Sequence, residues 1–212
     1  TAVTGINNIA LGTDSMDALT TGICNVAIGT NALGAATTGC FNIAIGDVAA
    51  GGAVTTGSEN VAIGRCPLDA LTTGYGNDAI GASAAGAVTT GFYNTAIGTK
   101  ALEKATTACN SIAIGECSLG AAVATGRDNI AIGKEAGKSI TSGFVNTAVG
   151  KSAGAGTSTG ENNGLFGHGA GNNPERSGNF NNHINLGNQS TASFEVTVAL
   201  TVLSDARDKT DV

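Results

Sequence analysis

The sequence predicts an all-β fold, a parallel β-roll or β-solenoid whose coils each take about 17 residues. The first observation is a five-residue phrase, Asn-x-Ala-Ile-Gly, that returns at intervals of 17 or 18 residues. The second is a Thr-Thr-Gly turn between successive phrases. The third is composition, because 33 glycines and only 4% aromatic residues suit narrow stacked coils better than one rounded core. The repeat glycines are residues 12, 29, 46, 64, 81, 98, 115, 133, 150 and 167.

The first half of each coil is predicted to be a short strand. It alternates large and small residues, as in Asn25-Val26-Ala27-Ile28-Gly29 and Asn42-Ile43-Ala44-Ile45-Gly46. Asp78, Thr95 and Thr147 replace the first large residue in three coils, and a carboxylate enclosed in a narrow coil would be costly. We therefore expect Ala and Asn to line the interior and the Ile face to point outward.

The second half of each coil supplies the rest of the predicted core. An Ala follows the repeat glycine by three residues, often with Leu next, as in Ala101-Leu102. One more apolar residue precedes the turn glycine by three positions. This set is Leu19, Ala36, Val54, Leu71, Val88, Ala105, Val123 and Ile140. The two 18-residue coils are expected to take their extra residue near Gly51-Gly52 and near Gly120, so that the strands stay in register.

The outward Ile row is the predicted self-association surface. An exposed apolar stripe of this length favours association, and association about a symmetry axis closes it. The predicted interface residues are Ile28, Ile45, Ile63, Ile80, Ile97, Ile114 and Ile132.

The predicted organisation has four segments. The repeat array spans 1–167, an irregular Gly- and Asn-rich last coil spans 168–187, a β stalk segment spans 188–203, and a charged end spans 204–212. The stalk segment is predicted from its alternating pattern, which lacks the coil phrase.

The end of the chain, Ser204-Asp205-Ala206-Arg207-Asp208-Lys209-Thr210-Asp211, resembles the start of the intramolecular chaperone domain of phage tail spikes and tail fibres. The resemblance rests on about nine residues. It implies a domain that drives trimer assembly and is then released by self-cleavage between Ser204 and Asp205, with Ser204 as nucleophile and Lys209 as its general base. The body of such a chaperone would follow residue 212, so cleavage is expected only in a longer precursor.

The repeats resemble two groups of proteins. Phage tail fibres carry Asn-x-Ala-Ile-Gly arrays with Thr-Thr-Gly turns, and trimeric autotransporter adhesin heads carry a similar phrase in shorter repeats. Both resemblances imply a homotrimeric rod of three β-rolls. The expected function is the receptor-binding shaft of a phage tail fibre in the virion, and the alternative is the head of a bacterial trimeric surface adhesin. The expected partners are two further copies, other virion tail proteins and a host cell-surface glycan or protein receptor.

Aromatic residues at variable positions are the candidate receptor contacts. Tyr75, Phe92, Tyr93 and Phe144 follow the turn glycine, where residue type changes from coil to coil. Packing at a subunit edge is the other interpretation of the same residues.

Composition and residue spacing argue against several other functional classes of protein. The net charge of −6 does not favour nucleic acid, because phosphate binding needs clustered Lys and Arg. No apolar run reaches the ~18 residues of a membrane helix. The spacing of the five cysteines and two histidines predicts no metal site, and we expect no cofactor and no enzymatic activity on an external substrate. The cysteines are expected to be small buried thiols.

Overall fold

The computed structural model describes residues 4–172, 180–188 and 190 of the chain. Within these ranges eleven parallel strands form one sheet in chain order, so each coil lays one strand beside the last. The strands are β1 (Ile9–Leu11), β2 (Val26–Ile28), β3 (Ile43–Ile45), β4 (Val61–Ile63), β5 (Asp78–Ile80), β6 (Thr95–Ile97), β7 (Ile112–Ile114), β8 (Ile130–Ile132), β9 (Thr147–Val149), β10 (Gly164–Phe166) and β11 (Ile184–Leu186). The predicted parallel β-solenoid is confirmed. No helix in the described ranges is long and apolar enough to cross a bilayer.

The register of the sheet separates an inner from an outer face. Ala27 pairs with Ala44, and Ala44 with Ala62, so the middle residue of each strand stacks on its equivalent in the next coil. These alanines are buried, whereas the residues on either side are half-buried or exposed. Side chains alternate across a strand. The expectation that Ala and Asn lie inside and Ile outside is therefore confirmed.

The second half of each coil closes the core and is also hydrogen-bonded to its neighbours. Leu33 N donates to Ala49 O of the next coil at 3.0 Å, and Ala36 N donates to Leu33 O to close a turn. Ala32, Leu33 and Ala36 are all buried. Because small Ala faces Leu across the coil, the interior is filled without large aromatic side chains.

The repeat glycine is required by both its backbone angle and its stacking. Gly81 has φ +134°, a region that other residues rarely adopt. A Cβ on Gly81 would lie 2.6 Å from Gly98 O in the next coil. The glycines therefore form their own ladder at the end of the strands, with no room for a side chain.

Three further positions in each coil have left-handed backbone angles. In the coil after Gly29 they are Asn31 (φ 54°), Leu33 (φ 49°) and Phe41 (φ 59°). Leu and Phe have no preference for this region, so the closed path of the coil determines the conformation at these positions. The residue types at these positions therefore do not predict their left-handed conformation.

In the two 18-residue coils, one predicted core residue is wrong. Val54 and Val123 are 60% and 58% exposed, and the next residues, Thr55 and Ala124, are buried in their place. The extra residue lengthens the path from the buried Ala to the turn and turns the valines outward. Thr55 satisfies its buried hydroxyl by donating to Leu71 O at 2.9 Å. The strands themselves remain in register, as Ile43 pairs with Val61 and Ile112 with Ile130.

The predicted last coil at 168–187 ends in β11, which pairs with β10 so that Gly164 faces Ile184 and Phe166 faces Leu186. His183 takes the place of the ladder Asn before this strand, and its N–H donates to Asn163 Oδ1 at 3.0 Å. The predicted stalk segment and chaperone start lie outside the described residues, apart from 188 and 190.

Candidate interaction surfaces

A buried row of asparagine side chains links each coil to its two neighbours. Asn42 Nδ2 donates to Asn25 Oδ1 at 3.2 Å and to Gly57 O at 3.0 Å. Asn42 Oδ1 in turn accepts from the N and Nδ2 of Asn60 at 3.0 and 3.1 Å. Each amide thus satisfies its donors and acceptor inside the coil. We call the row Asn8, Asn25, Asn42, Asn60, Asn77 and Asn94, resumed at Asn129, Asn146 and Asn163, the asparagine ladder.

The predicted interface isoleucines form a single outward row. Each is the last residue of its strand, and in-register pairing places equivalent residues side by side at ~4.8 Å intervals. Five members are 36–39% exposed and two are half-buried. The exposed members are Ile28, Ile45, Ile80, Ile97 and Ile132, and the half-buried ones are Ile63 and Ile114. We call this the isoleucine row.

The first residue of each strand forms a second outward row of mixed character. Asp78 is exposed there and pairs in register with Val61 and Thr95. It is the single charged residue among the first positions of the eleven described strands. The isoleucine row is therefore the more uniformly apolar of the two.

Three of the four candidate contact aromatics are brought together. Tyr75 and Phe92 stack with ring centroids 5.2 Å apart and an interplanar angle of 8°. Tyr93 meets both rings edge-on, at 5.1 Å from Tyr75 and 5.8 Å from Phe92. Gly76 makes this possible, because a Cβ there would lie 2.5 Å from the Tyr93 ring. We call Tyr75, Phe92 and Tyr93 the aromatic cluster.

Phe144 does not join the aromatic cluster. It occupies the position equivalent to Phe92 three coils further along, which separates the two by roughly 14 Å.

Phe41 was missed by sequence reasoning, although it occupies the same position as Tyr93, one residue before a ladder Asn. The two residues are equally exposed, 55% for Phe41 and 54% for Tyr93. The place of Phe41 in the period was the signal that could have identified it.

Two ion pairs lie in the residues that follow the repeat glycines Gly115 and Gly133. Lys134 Nζ lies 2.8 Å from Glu116 Oε2 of the preceding coil, and this bond raises the pKa of the Lys134 ammonium. Lys138 Nζ lies 2.7 Å from Glu135 Oε2 and lowers the pKa of that carboxyl. Both pairs are solvent-exposed, so they contribute little to folding.

The predicted processing residues Ser204, Asp205 and Lys209 lie outside the described residues. The five cysteines are free and half-buried, so the expectation of small buried thiols is wrong. Cys24 and Cys40 lie two residues and one residue after their turn glycines, at the edge of the coil and not in its core. Their position explains why they are only half-buried. In the described ranges no group of three or more His, Cys, Asp or Glu side chains is placed to hold a metal ion.

Comparison with known proteins gives no relative for this chain: no family model, no curated protein and no solved structure matches it.

Proposed function

We propose that this chain is part of the shaft of a homotrimeric phage tail fibre, in which it serves as a structural rod and contributes to host attachment. The isoleucine row carries the proposal. A contiguous apolar stripe along a rod is unusual for a soluble monomer and is typical of an association surface. The number three rests on the resemblance of the repeats and of residues 204–211 to trimeric tail fibres.

In the proposed rod, the three isoleucine rows face one another about the long axis. Such an arrangement buries the same patch of every chain and covers the isoleucine row. The second outward row then lies nearer the groove between two chains, where Asp78 and Thr95 keep access to water. The ion pair between Glu116 and Lys134, two residues after Ile114 and Ile132, then lies at the margin of this interface.

Attachment is assigned to the variable edge, the two positions between each turn glycine and its ladder Asn. These positions change from coil to coil while the ladder beside them stays almost constant. The aromatic cluster presents there half-exposed rings on a rigid support, which is the kind of surface that receptors use as an anchor.

A cell-binding assay tests attachment. Fluorescently labelled protein is mixed with a panel of bacterial strains, and the double variant Tyr75→Ser/Tyr93→Ser is compared with Thr13→Glu, an exposed change outside the variable edge. We expect binding to at least one strain, reduced about tenfold by the double variant only. Unchanged binding by the double variant would remove the aromatic cluster from the proposal.

Self-processing is tested in the longer gene. The precursor is expressed with its natural downstream region, and its chain mass is measured on a denaturing gel. We expect a released C-terminal fragment that is lost in Ser204→Ala and in Lys209→Ala, because nucleophile and base are both required. Cleavage that persists in either variant contradicts the assigned roles.

A further inference from the structure

A groove of about 390 Å³ opens on the outer face at the last strands of the sheet. It exists because Gly164 has no side chain at a position where β9 carries Thr147 and β11 carries Ile184. The ring of Phe166 lies against this gap, since a Cβ on Gly164 would be 2.9 Å from its Cε2 atom. Phe166 is also the one aromatic residue at the last position of the described strands, and it is 38% exposed. The groove therefore has an aromatic wall that the other coils lack.

Two asparagines supply the polar side of the groove. Asn162 Nδ2 donates to Asn182 Oδ1 at 2.7 Å, which orients both amides. Asn162 Oδ1 and Asn182 Nδ2 have no partner among the described residues, so one acceptor and one donor remain side by side. Both residues have left-handed backbone angles, φ 54° and 60°, and their N–H groups are bonded to Phe144 O and Glu161 O. The pair is thus held by the backbone of two coils.

We propose that this groove binds a neutral pyranose unit of a glycan. The apolar face of a sugar ring suits the Phe166 ring, and adjacent hydroxyl groups suit a neighbouring carbonyl acceptor and amide donor. No Asp, Glu, Lys, Arg or His lines the groove in the described structure, so nothing there would balance the charge of an acidic sugar or an ionic peptide. A few fixed polar groups beside an apolar wall are the usual composition of a small-ligand site.

The groove lies within one chain and is separate from the aromatic cluster, which is several coils away. It also lies beyond the end of the isoleucine row, because Phe166 follows Ile132 by two coils along the same line of strand ends. The inference rests on the proposed function only for its biological role in attachment. Its chemistry requires no trimer, and the two proposals therefore fail independently.

The test uses methyl glycosides of glucose, galactose and N-acetylglucosamine, with N-acetylneuraminic acid as the charged comparison. Binding is measured by saturation-transfer NMR and by titration calorimetry on the 212-residue chain. Because the site is small and open, we expect dissociation constants of about 1 to 10 mM for at least one neutral glycoside. The strongest saturation transfer is expected at ring-face C–H protons, which would contact Phe166.

Gly164→Thr fills the groove with the residue that β9 carries in the same register, and the backbone of Gly164 is not in the left-handed region. We expect it to weaken binding at least about tenfold. Asn182→Asp keeps the acceptor and the left-handed preference but removes the donor, and a similar loss is expected. Val61→Thr places the same residue at the equivalent position of β4, away from the groove, and should leave binding unchanged.

Binding of a neutral glycoside that is lost in Gly164→Thr and Asn182→Asp but kept in Val61→Thr supports the site. The proposal is overturned if no neutral glycoside binds at about 20 mM, if Gly164→Thr binds as well as wild type, or if N-acetylneuraminic acid binds more tightly than the neutral sugars. A trimer that binds no sugar would contradict this groove alone, and a monomer that binds sugar would contradict the proposed rod alone.

Discussion

The N–H of Ser111 donates to Asn94 Oδ1 at 3.1 Å, but Ser111 has no amide group to return to the ladder. Its hydroxyl instead donates to Cys109 O at 3.1 Å and accepts only a long bond, 3.4 Å, from Asn129 N. The same coil has Ala108 where other coils have a turn glycine. In those coils a Cβ on the glycine would lie close to the ladder amide three residues later, at 3.0 Å for Gly126 and Asn129. Ala108 and Ser111 are therefore a matched pair.

This pairing predicts that Ala108→Gly/Ser111→Asn will be more stable than wild type. The double variant completes the asparagine ladder, whereas Ser111→Asn alone places its amide against the Ala108 methyl group. We expect a gain of about 1 to 2 kcal/mol in the free energy of unfolding for the pair, and a coupling of roughly 1 kcal/mol between the two changes. Urea unfolding of all four chains measures both. Additive effects, or a double variant no more stable than wild type, would contradict the pairing.

Removing a ladder amide should be strongly destabilising. Asn77 Nδ2 donates to Asn60 Oδ1 at 3.0 Å and to Gly91 O at 2.9 Å, and its Oδ1 accepts from Asn94 Nδ2 at 2.9 Å. Asn77→Leu leaves these buried groups unsatisfied, so we expect a loss of about 3 to 5 kcal/mol. The control is Asn110→Ala, an exposed Asn that should cost no more than about 1 kcal/mol. Similar losses in the two variants, measured by urea unfolding, would remove the ladder from the account of stability.

Two glycines of one coil should respond in opposite ways to alanine. Gly81→Ala forces φ +134° on an alanine and brings its Cβ to 2.6 Å from Gly98 O, so we expect a loss of about 3 kcal/mol or more. Gly86→Ala meets nothing closer than Ser83 O at 3.4 Å and lies outside the left-handed region. It should be neutral or stabilising by up to ~1 kcal/mol, since alanine restricts the unfolded chain. Thermal unfolding followed by circular dichroism distinguishes them, and equal losses would contradict the glycine ladder.

Val48 has a left-handed backbone angle, φ 54°, which is unfavourable for a β-branched residue. The previous coil has Asn31 at the same position, also at φ 54°. Val48→Asn is therefore expected to raise the free energy of unfolding by about 1 kcal/mol. Val54→Asn is the control, because Val54 is exposed but not left-handed. A stabilisation of equal size at position 54 would show that replacing an exposed valine by a polar residue, and not the backbone angle of Val48, causes the effect.

Much of the fold could be predicted from the sequence because one short period repeats its physical constraints. Asp78 and Thr95 at outward positions, beside an Ala that nine of the eleven described strands share, were enough to assign the inner and outer faces of the strands. Val54 and Val123 were assigned wrongly because an inserted residue shifts which side chain points inward, and the period alone does not say where the shift occurs. The left-handed angles of Leu33 and Val48 were not predictable, since closure of the coil imposes them against residue preference.

The candidate site was less predictable. The position of Tyr75, Phe92 and Tyr93 in neighbouring coils placed them at one edge, but their mutual stacking depends on the absence of a side chain at Gly76. The groove at Phe166 arises from Gly164, which in the sequence looks only like a degenerate copy of the phrase. A missing side chain on a regular surface has no signature until its neighbours are placed in space.

The most direct test of the central claim, that the isoleucine row joins three chains, is the solution mass by sedimentation equilibrium at micromolar concentration. The account predicts three times the chain mass of 20.5 kDa for wild type and for Lys104→Glu, an exposed change in the other half of the coil. It predicts dissociation of Ile97→Glu, because a carboxylate in an apolar interface is costly. A monomeric wild type, or an Ile97→Glu protein that keeps the full assembly mass, would contradict it.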